Sequence, residues 1–152
     1  MIPRRYERIK QVLAQRQPDL TVLMEDVHKP HNLSAIIRTC DAVGIFAVHA
    51  VNRHTDTPTY SQVAQGSERW VKLHPHTDIK TAIIHLQQQH QIYAAHLSVI
   101  AVDYREVDYT KPTAILFGTE RWGVTDEAAE LVDGHIIIPM QGMGQSLNVS
   151  VA

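Results

Sequence analysis

The sequence has only one cysteine, Cys40, and no long apolar run. One cysteine excludes an internal disulfide, which fits a reducing compartment. A membrane-spanning helix needs roughly 20 consecutive apolar residues, so no membrane partner is expected. The basic N-terminus is not followed by an apolar segment of the signal-peptide type. These absences favour a cytoplasmic protein.

The sequence also lacks a large excess of charge of one sign. It has 14 lysines and arginines and 16 aspartates and glutamates, which gives a net charge of -2. The distribution is uneven, because residues 1–20 hold five basic and two acidic side chains. A basic segment on an acidic body is typical of a protein that touches nucleic-acid phosphates with one part of its surface. A solvated helix face would explain the charge equally well.

Short apolar runs alternate with helical patterns along the chain. The runs are at 20–24, 46–51, 92–97, 114–117 and 135–138, and the helical patterns are at 32–43, 78–90 and 125–132. This alternation predicts an α/β fold with a mostly parallel sheet and helices on both faces.

The chain has the length of one domain, and we expect a basic helical extension at 1–18 before the main domain at 19–152. Pro3 suits the first turn of the extension, whose helix should end before Pro18. Residues 53–69 are expected to form a loop with a short helix, followed by a strand near 70–73. A polar connector is expected at 103–111.

The first segment with chemical character is 32–44 (NLSAIIRTCDAVG). Asn32 is a good N-cap residue, an apolar stripe follows at helical spacing, and Gly44 is a typical helix end. Arg38 lies on the side opposite the stripe, so it should face away from the core. Taken by itself, Arg38 would be interpreted as a surface arginine of an amphipathic helix. The preceding turn at 28–32, with Lys29 and two histidines, suits a phosphate.

The second segment is 114–123 (AILFGTERWG), a strand that runs into a turn with two glycines. Open parallel sheets bind ligands at the carboxyl ends of their strands, and Glu120 lies in that turn. Thr125 should cap the next helix. The third segment, 136–152 (IIIPMQGMGQSLNVSVA), is a buried strand and a flexible loop that lead to Asn148 and Ser150.

Together the three segments resemble the motifs of the SPOUT-superfamily (SpoU/TrmH-type) RNA ribose 2'-O-methyltransferases, most closely the tRNA (guanosine-2'-O)-methyltransferases. The resemblance extends from about Arg5 to Ala152. It implies a trefoil-knot fold, S-adenosyl-L-methionine as methyl donor, and methylation of a guanosine ribose in the D-loop of tRNA, at tRNA position 18.

The resemblance also implies site residues at matching positions. The catalytic set is Arg38, Glu120 and Asn148, and the cofactor set is Ala95, Leu116, Gly118, Ile138, Met140 and Leu147. The expected RNA-binding residues come instead from the basic N-terminal segment and the 28–32 turn: Arg4, Arg5, Arg8, Lys29, His31 and Asn32. The tRNA enzymes often have threonine where this chain has Ala95. Because an arginine side chain stays protonated in proteins, we expect Arg38 to clamp a phosphate and stabilise the developing oxyanion. Glu120 and Asn148 are expected to orient Arg38 and the substrate.

Members of the family are homodimers whose C-terminal helix closes the knot and completes the cofactor pocket. The sequence ends at Ala152, where that helix should begin. If the 152 residues act alone, we expect an incomplete knot, weak cofactor binding and little or no activity.

Three other functions stay open at this point: a non-catalytic RNA-binding fragment, a ribosomal RNA 2'-O-methyltransferase, and a general nucleotide binder. The last is disfavoured because the sequence has neither a G-x-G-x-x-G nor a P-loop pattern. Ten histidines are present without cysteine partners or an H-E-x-x-H spacing. We therefore expect no metal site.

Overall fold

The computed structural model describes residues 3–53 and 70–152. Within them lie seven strands that pair in the order β3-β2-β1-β6-β4-β7-β5, with every pairing parallel. The strands are β1 (Leu20–Glu25), β2 (Ala47–Val51), β3 (Lys72–His76), β4 (Gln91–Ala95), β5 (Val102–Asp103), β6 (Thr113–Phe117) and β7 (Gly134–Ile137). The helices are α1 (Pro3–Ala14), α2 (Pro30–Val43), α3 (Ile79–Gln87) and α4 (Asp126–Leu131).

Side chains of the central strands alternate between two apolar cores, one on each face of the sheet. In β1, Val22 and Met24 pack with the buried stripe of α2, whereas Leu23 packs with α3 and α4. This alternation follows from the two-residue period of a strand. The expected α/β architecture, a parallel sheet with helices on both faces, is confirmed.

Helix α2 ends where the sequence predicts but begins earlier than expected. Its apolar stripe is buried, and Gly44 ends it in the left-handed conformation (φ 86°). The expected N-cap was wrong: the helix begins at Pro30, Lys29 holds the cap position, and Asn32 is buried in the first turn. The side chain of Asn32 has a stronger competing partner, described below.

Helix α1 buries none of its residues. The chain after it is fixed through Arg16, which donates to the Ile45 carbonyl at 2.9 Å and to Asp41 at 2.7 Å. The helix ends before Pro18, as expected. The division at residue 18 remains a prediction.

Several boundaries differ from the sequence expectations. The strand expected near 70–73 lies at 72–76, and the connector at 103–111 begins within β5 and continues as a 3-10 helix at Tyr104–Glu106. A two-residue strand is too short to leave a readable pattern. Most of the loop expected at 53–69 lies outside the described residues. None of the described helices is long and apolar enough to cross a membrane.

The order of the strands creates a switch point at β1. Strands β2 and β3 extend the sheet on one side of β1, and β6, β4, β7 and β5 extend it on the other. The loops that leave β1 and β6 therefore diverge at the carboxyl edge and open a crevice between them, which is where sheets of this kind bind ligands.

Candidate active site

Two polar side chains meet in this crevice. Asn32 follows β1 and Glu120 follows β6, and the Asn32 amide Nδ2 donates to Glu120 Oε1 over 2.6 Å. Asn32 is 1% exposed, and the Glu120 side chain is 10% exposed. Shielding from water strengthens such a charge-assisted bond. The pair joins two residues 88 positions apart in the sequence.

The same two side chains each keep a buried oxygen without a hydrogen-bond partner among the described residues: Asn32 Oδ1 and Glu120 Oε2. His28 Nδ1 lies 3.7 Å from Glu120 Oε2, beyond hydrogen-bond distance. His28 Nδ1 is closer to the Asp26 carbonyl, at 3.1 Å. A buried acceptor without a donor lowers the stability of a folded protein. These two oxygens are therefore suited to a ligand that donates hydrogen bonds.

The turn that carries Glu120 is closed on itself. Thr119 and Gly123 exchange two backbone hydrogen bonds of 2.9 Å, and the Trp122 N-H donates to Thr119 Oγ1 at 3.0 Å. A Cβ on Gly118 would lie 2.0 Å from the Gly123 carbonyl carbon, so only glycine fits there. The turn is therefore a narrow loop that projects Glu120 at a fixed place.

A second polar group lies next to this turn, at residues that were not expected from the sequence. Glu25 and Asp26, at the end of β1, accept hydrogen bonds from Arg53, and Glu25 also accepts from Thr125. Hydrogen bonding to the carboxylates, chiefly Asp26, raises the pKa of Arg53. The available signal was a pair of carboxylates directly after an apolar strand.

A cavity of about 490 Å³ lies beside β6, β4 and β7, on the face of the sheet that α2 covers elsewhere. Three of the six expected cofactor residues line it: Ala95, Ile138 and Leu147. Its wall also holds Ile115, Phe117, Ile136, Ile137, Tyr104 and Tyr109, none of them expected from the sequence.

The other three expected cofactor residues, Leu116, Gly118 and Met140, do not line this cavity. Leu116 is fully buried in the core on the opposite face, because Ile115 and Phe117 take the cavity side of β6. Gly118 lies against Gly123 in the Glu120 turn. Strand alternation thus turns the Leu116 side chain away from the cavity, and the part of Leu116 in cofactor binding stays a prediction.

Two of the three expected catalytic residues, Arg38 and Asn148, form no hydrogen bond with the Asn32–Glu120 pair in the described part of the chain. Arg38 is exposed on α2, about 9 Å further along the helix axis than Asn32. No hydrogen bond or ion pair joins Arg38 to the part of the chain that the structure describes. The Asn148 side chain accepts from the backbone N-H and the hydroxyl of Ser150, at 2.9 and 2.7 Å. The structure thus pairs Glu120 with Asn32 and not with Arg38 or Asn148.

The expected RNA-binding residues fall into two groups. Arg4, Arg5 and Arg8 are exposed on α1, and Lys29 and His31 are exposed where α2 begins. Asn32 differs, since it is buried and its amide group is directed at Glu120.

Histidines cluster away from this crevice, around β2, β3 and α3. His49 Nδ1 lies 2.8 Å from His76 Nε2, and the rings of His74 and His85 are close by. Burial, followed by charge repulsion from His74, lowers the pKa of His49 to about 3. Over residues 3–53 and 70–152, no three or more histidine, cysteine or carboxylate side chains are arranged to hold a metal ion.

Comparison with known proteins gives consistent likenesses. Residues 19–152 match the model of the SpoU rRNA Methylase family. The Escherichia coli (strain K12) protein named tRNA (guanosine(18)-2'-O)-methyltransferase is 59% identical over 153 residues, which cover 100% of this chain and 67% of that protein. The crystal structure of the Aquifex aeolicus TrmH/SpoU tRNA modifying enzyme has a TM-score of 0.87 at 41% identity, covering 97% of this chain and 76% of that one.

An AdoMet-bound rRNA methyltransferase from Sinorhizobium meliloti is also similar. Its TM-score is 0.74 at 30% identity, over 90% of this chain and 56% of that chain. The family match of residues 19–152 includes both the loop of Asn32 and the turn of Glu120.

Proposed function

The chain belongs to the SpoU rRNA Methylase family, and from this premise we propose that it is an enzyme that methylates the ribose 2'-oxygen of guanosine 18 in the D-loop of tRNA. S-adenosyl-L-methionine would be the methyl donor. The name of the Escherichia coli relative supports the position and the RNA, and the AdoMet-bound relative supports the donor.

The observation that carries this proposal is the buried Asn32–Glu120 pair with its two unused acceptor oxygens. A ribose hydroxyl that enters the crevice could donate to Glu120 Oε2. That bond would orient the oxygen for attack and increase its electron density, and Glu120 Oε2 would take the hydroxyl proton as the oxygen receives the methyl group. Because Asn32 holds the other carboxylate oxygen, the acceptor would not need to reorganise when the substrate arrives.

The cavity fits the cofactor in size and character. Its volume of about 490 Å³ falls in the range of small-molecule sites, and its wall is mostly apolar. Ala95, Ile138 and Leu147 would hold the cofactor, with backbone groups at the carboxyl edge of β4, β6 and β7. When bound, it supplies an activated methyl group.

Arg38 would bind a phosphate next to the target ribose. Its guanidinium is exposed and has no hydrogen-bond or ion-pair partner in the described chain. Its N-H groups could therefore donate two parallel hydrogen bonds to an incoming phosphate. The bond would bring positive charge near the oxygen while the methyl group is transferred. Asn148 would contact the substrate or cofactor through its amide nitrogen, since its oxygen already accepts hydrogen bonds from Ser150.

The remaining RNA contacts would come from α1 and the start of α2. Arg4, Arg5 and Arg8 form an exposed basic row, and Lys29 and His31 lie nearer the crevice. Such phosphate contacts release counterions, so RNA affinity should fall steeply with salt. The trefoil knot and the homodimer belong to the same proposal, as does the division into an extension at 1–18 and a main domain at 19–152.

The test is transfer of labelled methyl groups from S-adenosyl-L-methionine to tRNA transcripts that carry guanosine or 2'-deoxyguanosine at position 18. We expect label only in the first transcript. Glu120→Gln and Arg38→Ala should each lower transfer at least 100-fold and leave cofactor affinity nearly unchanged. Glu130→Gln, a change to an exposed carboxylate on α4, is the matched control. Equal labelling of the two transcripts would refute the proposed position.

A ribosomal RNA substrate is the second candidate, favoured by the likeness to the rRNA methyltransferase from Sinorhizobium meliloti. Ribosomal RNA fragments in the same assay separate the two. Retention of RNA without any label would instead indicate an RNA-binding protein.

A further inference from the structure

Glu25 is a fully buried carboxylate that the proposed reaction does not use directly. Both of its oxygens accept hydrogen bonds from other loops. Oε2 accepts the Thr125 N-H at 3.0 Å, and Oε1 accepts the Thr125 hydroxyl at 2.6 Å and Arg53 Nη2 at 3.1 Å. A buried charge is tolerated only with this degree of pairing. Glu25 therefore joins the ends of three loops at the carboxyl edge of the sheet.

Thr125 links Glu25 to the Glu120 turn. Its hydroxyl proton goes to Glu25, which leaves its oxygen to accept the Ala128 N-H at 3.3 Å and cap α4. Thr125 comes two residues after Gly123, the last residue of the closed turn. Glu25 thus fixes the base of the turn whose tip carries Glu120.

The other end of the connection leads to Asn32. Asp26, next to Glu25, has a positive φ of 51° and is held by the Arg53 N-H and Nε at 2.8 and 2.7 Å. From Asp26 the chain reaches Asn32 in six residues. The two loops are consequently tied twice: at the base by Glu25 and Thr125, and at the tip by Asn32 and Glu120.

We propose that Glu25 is a positioning residue, which sets the separation of Glu120 and Asn32 by holding Thr125, with Arg53 as its counter-ion. This inference rests on the proposed function for its kinetic readout. It also predicts a change in local dynamics that needs no substrate.

The kinetic test compares variants in the full chain. Glu25→Gln keeps the shape but turns an N-H₂ group towards a donor, so we expect kcat to fall roughly 10–100-fold while KM for RNA changes little. Thr125→Val should behave similarly, and Thr125→Ser should retain activity because it keeps the hydroxyl. Asp78→Ala, which removes the N-cap of α3 at a distance from the crevice, is the matched control and should retain activity.

The decisive measurement is the same substitution in a Glu120→Gln background. If Glu25 acts through Glu120, Glu25→Gln adds less than about a twofold loss there, because coupled residues are not additive. The same fold loss in both backgrounds would overturn the proposal and indicate general damage to the fold.

Hydrogen exchange separates this proposal from the proposed function. Glu25→Gln should speed exchange of the Thr119, Trp122 and Gly123 amides roughly tenfold or more, with α3 unaffected. Unchanged exchange in the turn would overturn the positioning role even if methyl transfer is observed. Faster exchange in a chain that methylates no RNA would support the positioning role and refute only the proposed function.

Discussion

The pH dependence of stability should show a marked contribution from His49. This residue is 8% exposed on β2, hydrogen-bonded to His76 and stacked on His74 with ring centroids 4.9 Å apart. Its pKa is lowered from 6.5 to about 3, first by burial and then by repulsion from His74, His76 and the other histidines nearby. The native protein therefore keeps His49 neutral at pH values where the unfolded chain protonates it.

The sign and size of the effect follow from this difference in proton binding. Between the unfolded pKa of 6.5 and the native value of about 3, the unfolded state binds more protons, so stability is lost as pH falls. Well inside that window each pH unit costs about 1.36 kcal/mol, and near pH 6.5 it costs about half as much, because the unfolded chain is then only half protonated. From pH 6.5 to pH 5, His49 should therefore remove about 1.6 kcal/mol of the free energy of unfolding. Stopping at pH 5 avoids most carboxylate titration.

The assay is urea unfolding at pH 7.5, 6.5, 5.75 and 5.0, for the unmodified chain and for His49→Gln. We expect the variant to lose about 1.6 kcal/mol less than the unmodified chain between pH 6.5 and 5.0. His31→Gln, at an exposed histidine, is the control and should leave the slope unchanged. Parallel pH profiles for the unmodified chain and His49→Gln would refute the reasoning.

Three further outcomes are expected. Gly118→Ala should abolish methyl transfer, measured with labelled cofactor, because its Cβ would overlap the backbone of Gly123 and displace the Glu120 turn; retained activity would show that the turn can shift. Leu23→Ala should lower the free energy of unfolding in urea by about 2–5 kcal/mol, since Leu23 is fully buried between packed helices and strands. Arg16→Met should cost about 1–3 kcal/mol by the same measurement, because it leaves its carbonyl and carboxylate acceptors without their donor; an unchanged midpoint would contradict that role.

Most of the fold could be predicted from the sequence because its signals are local. These signals include the apolar stripe of α2, its end at Gly44 and the cap of α4 at Thr125. Each depends on residues within a few positions of each other. The two-residue strand β5 and the exact start of β3 were missed, since short or polar strands are defined by their partners.

The site was harder to predict because its contacts join distant segments. Asn32 reads as a helix cap in isolation, but Glu120, which lies on another loop, takes its amide. Glu25 and Thr125 are 100 positions apart, and the sequence around either residue does not predict its contact with the other. The family resemblance indicated which loops matter, whereas the pairing inside them depends on the order of the strands.

The outer strand β3 contains Pro75, paired in register with Ala50 of β2. The Lys72 N-H donates to the Phe46 carbonyl, so alternate residues face β2, and the Leu73 and Pro75 backbones face outwards. A proline at an outward position offers no N-H to a further strand. Within the described residues β3 is an edge strand, and its outward side is thus poorly suited to pairing with a strand of another molecule.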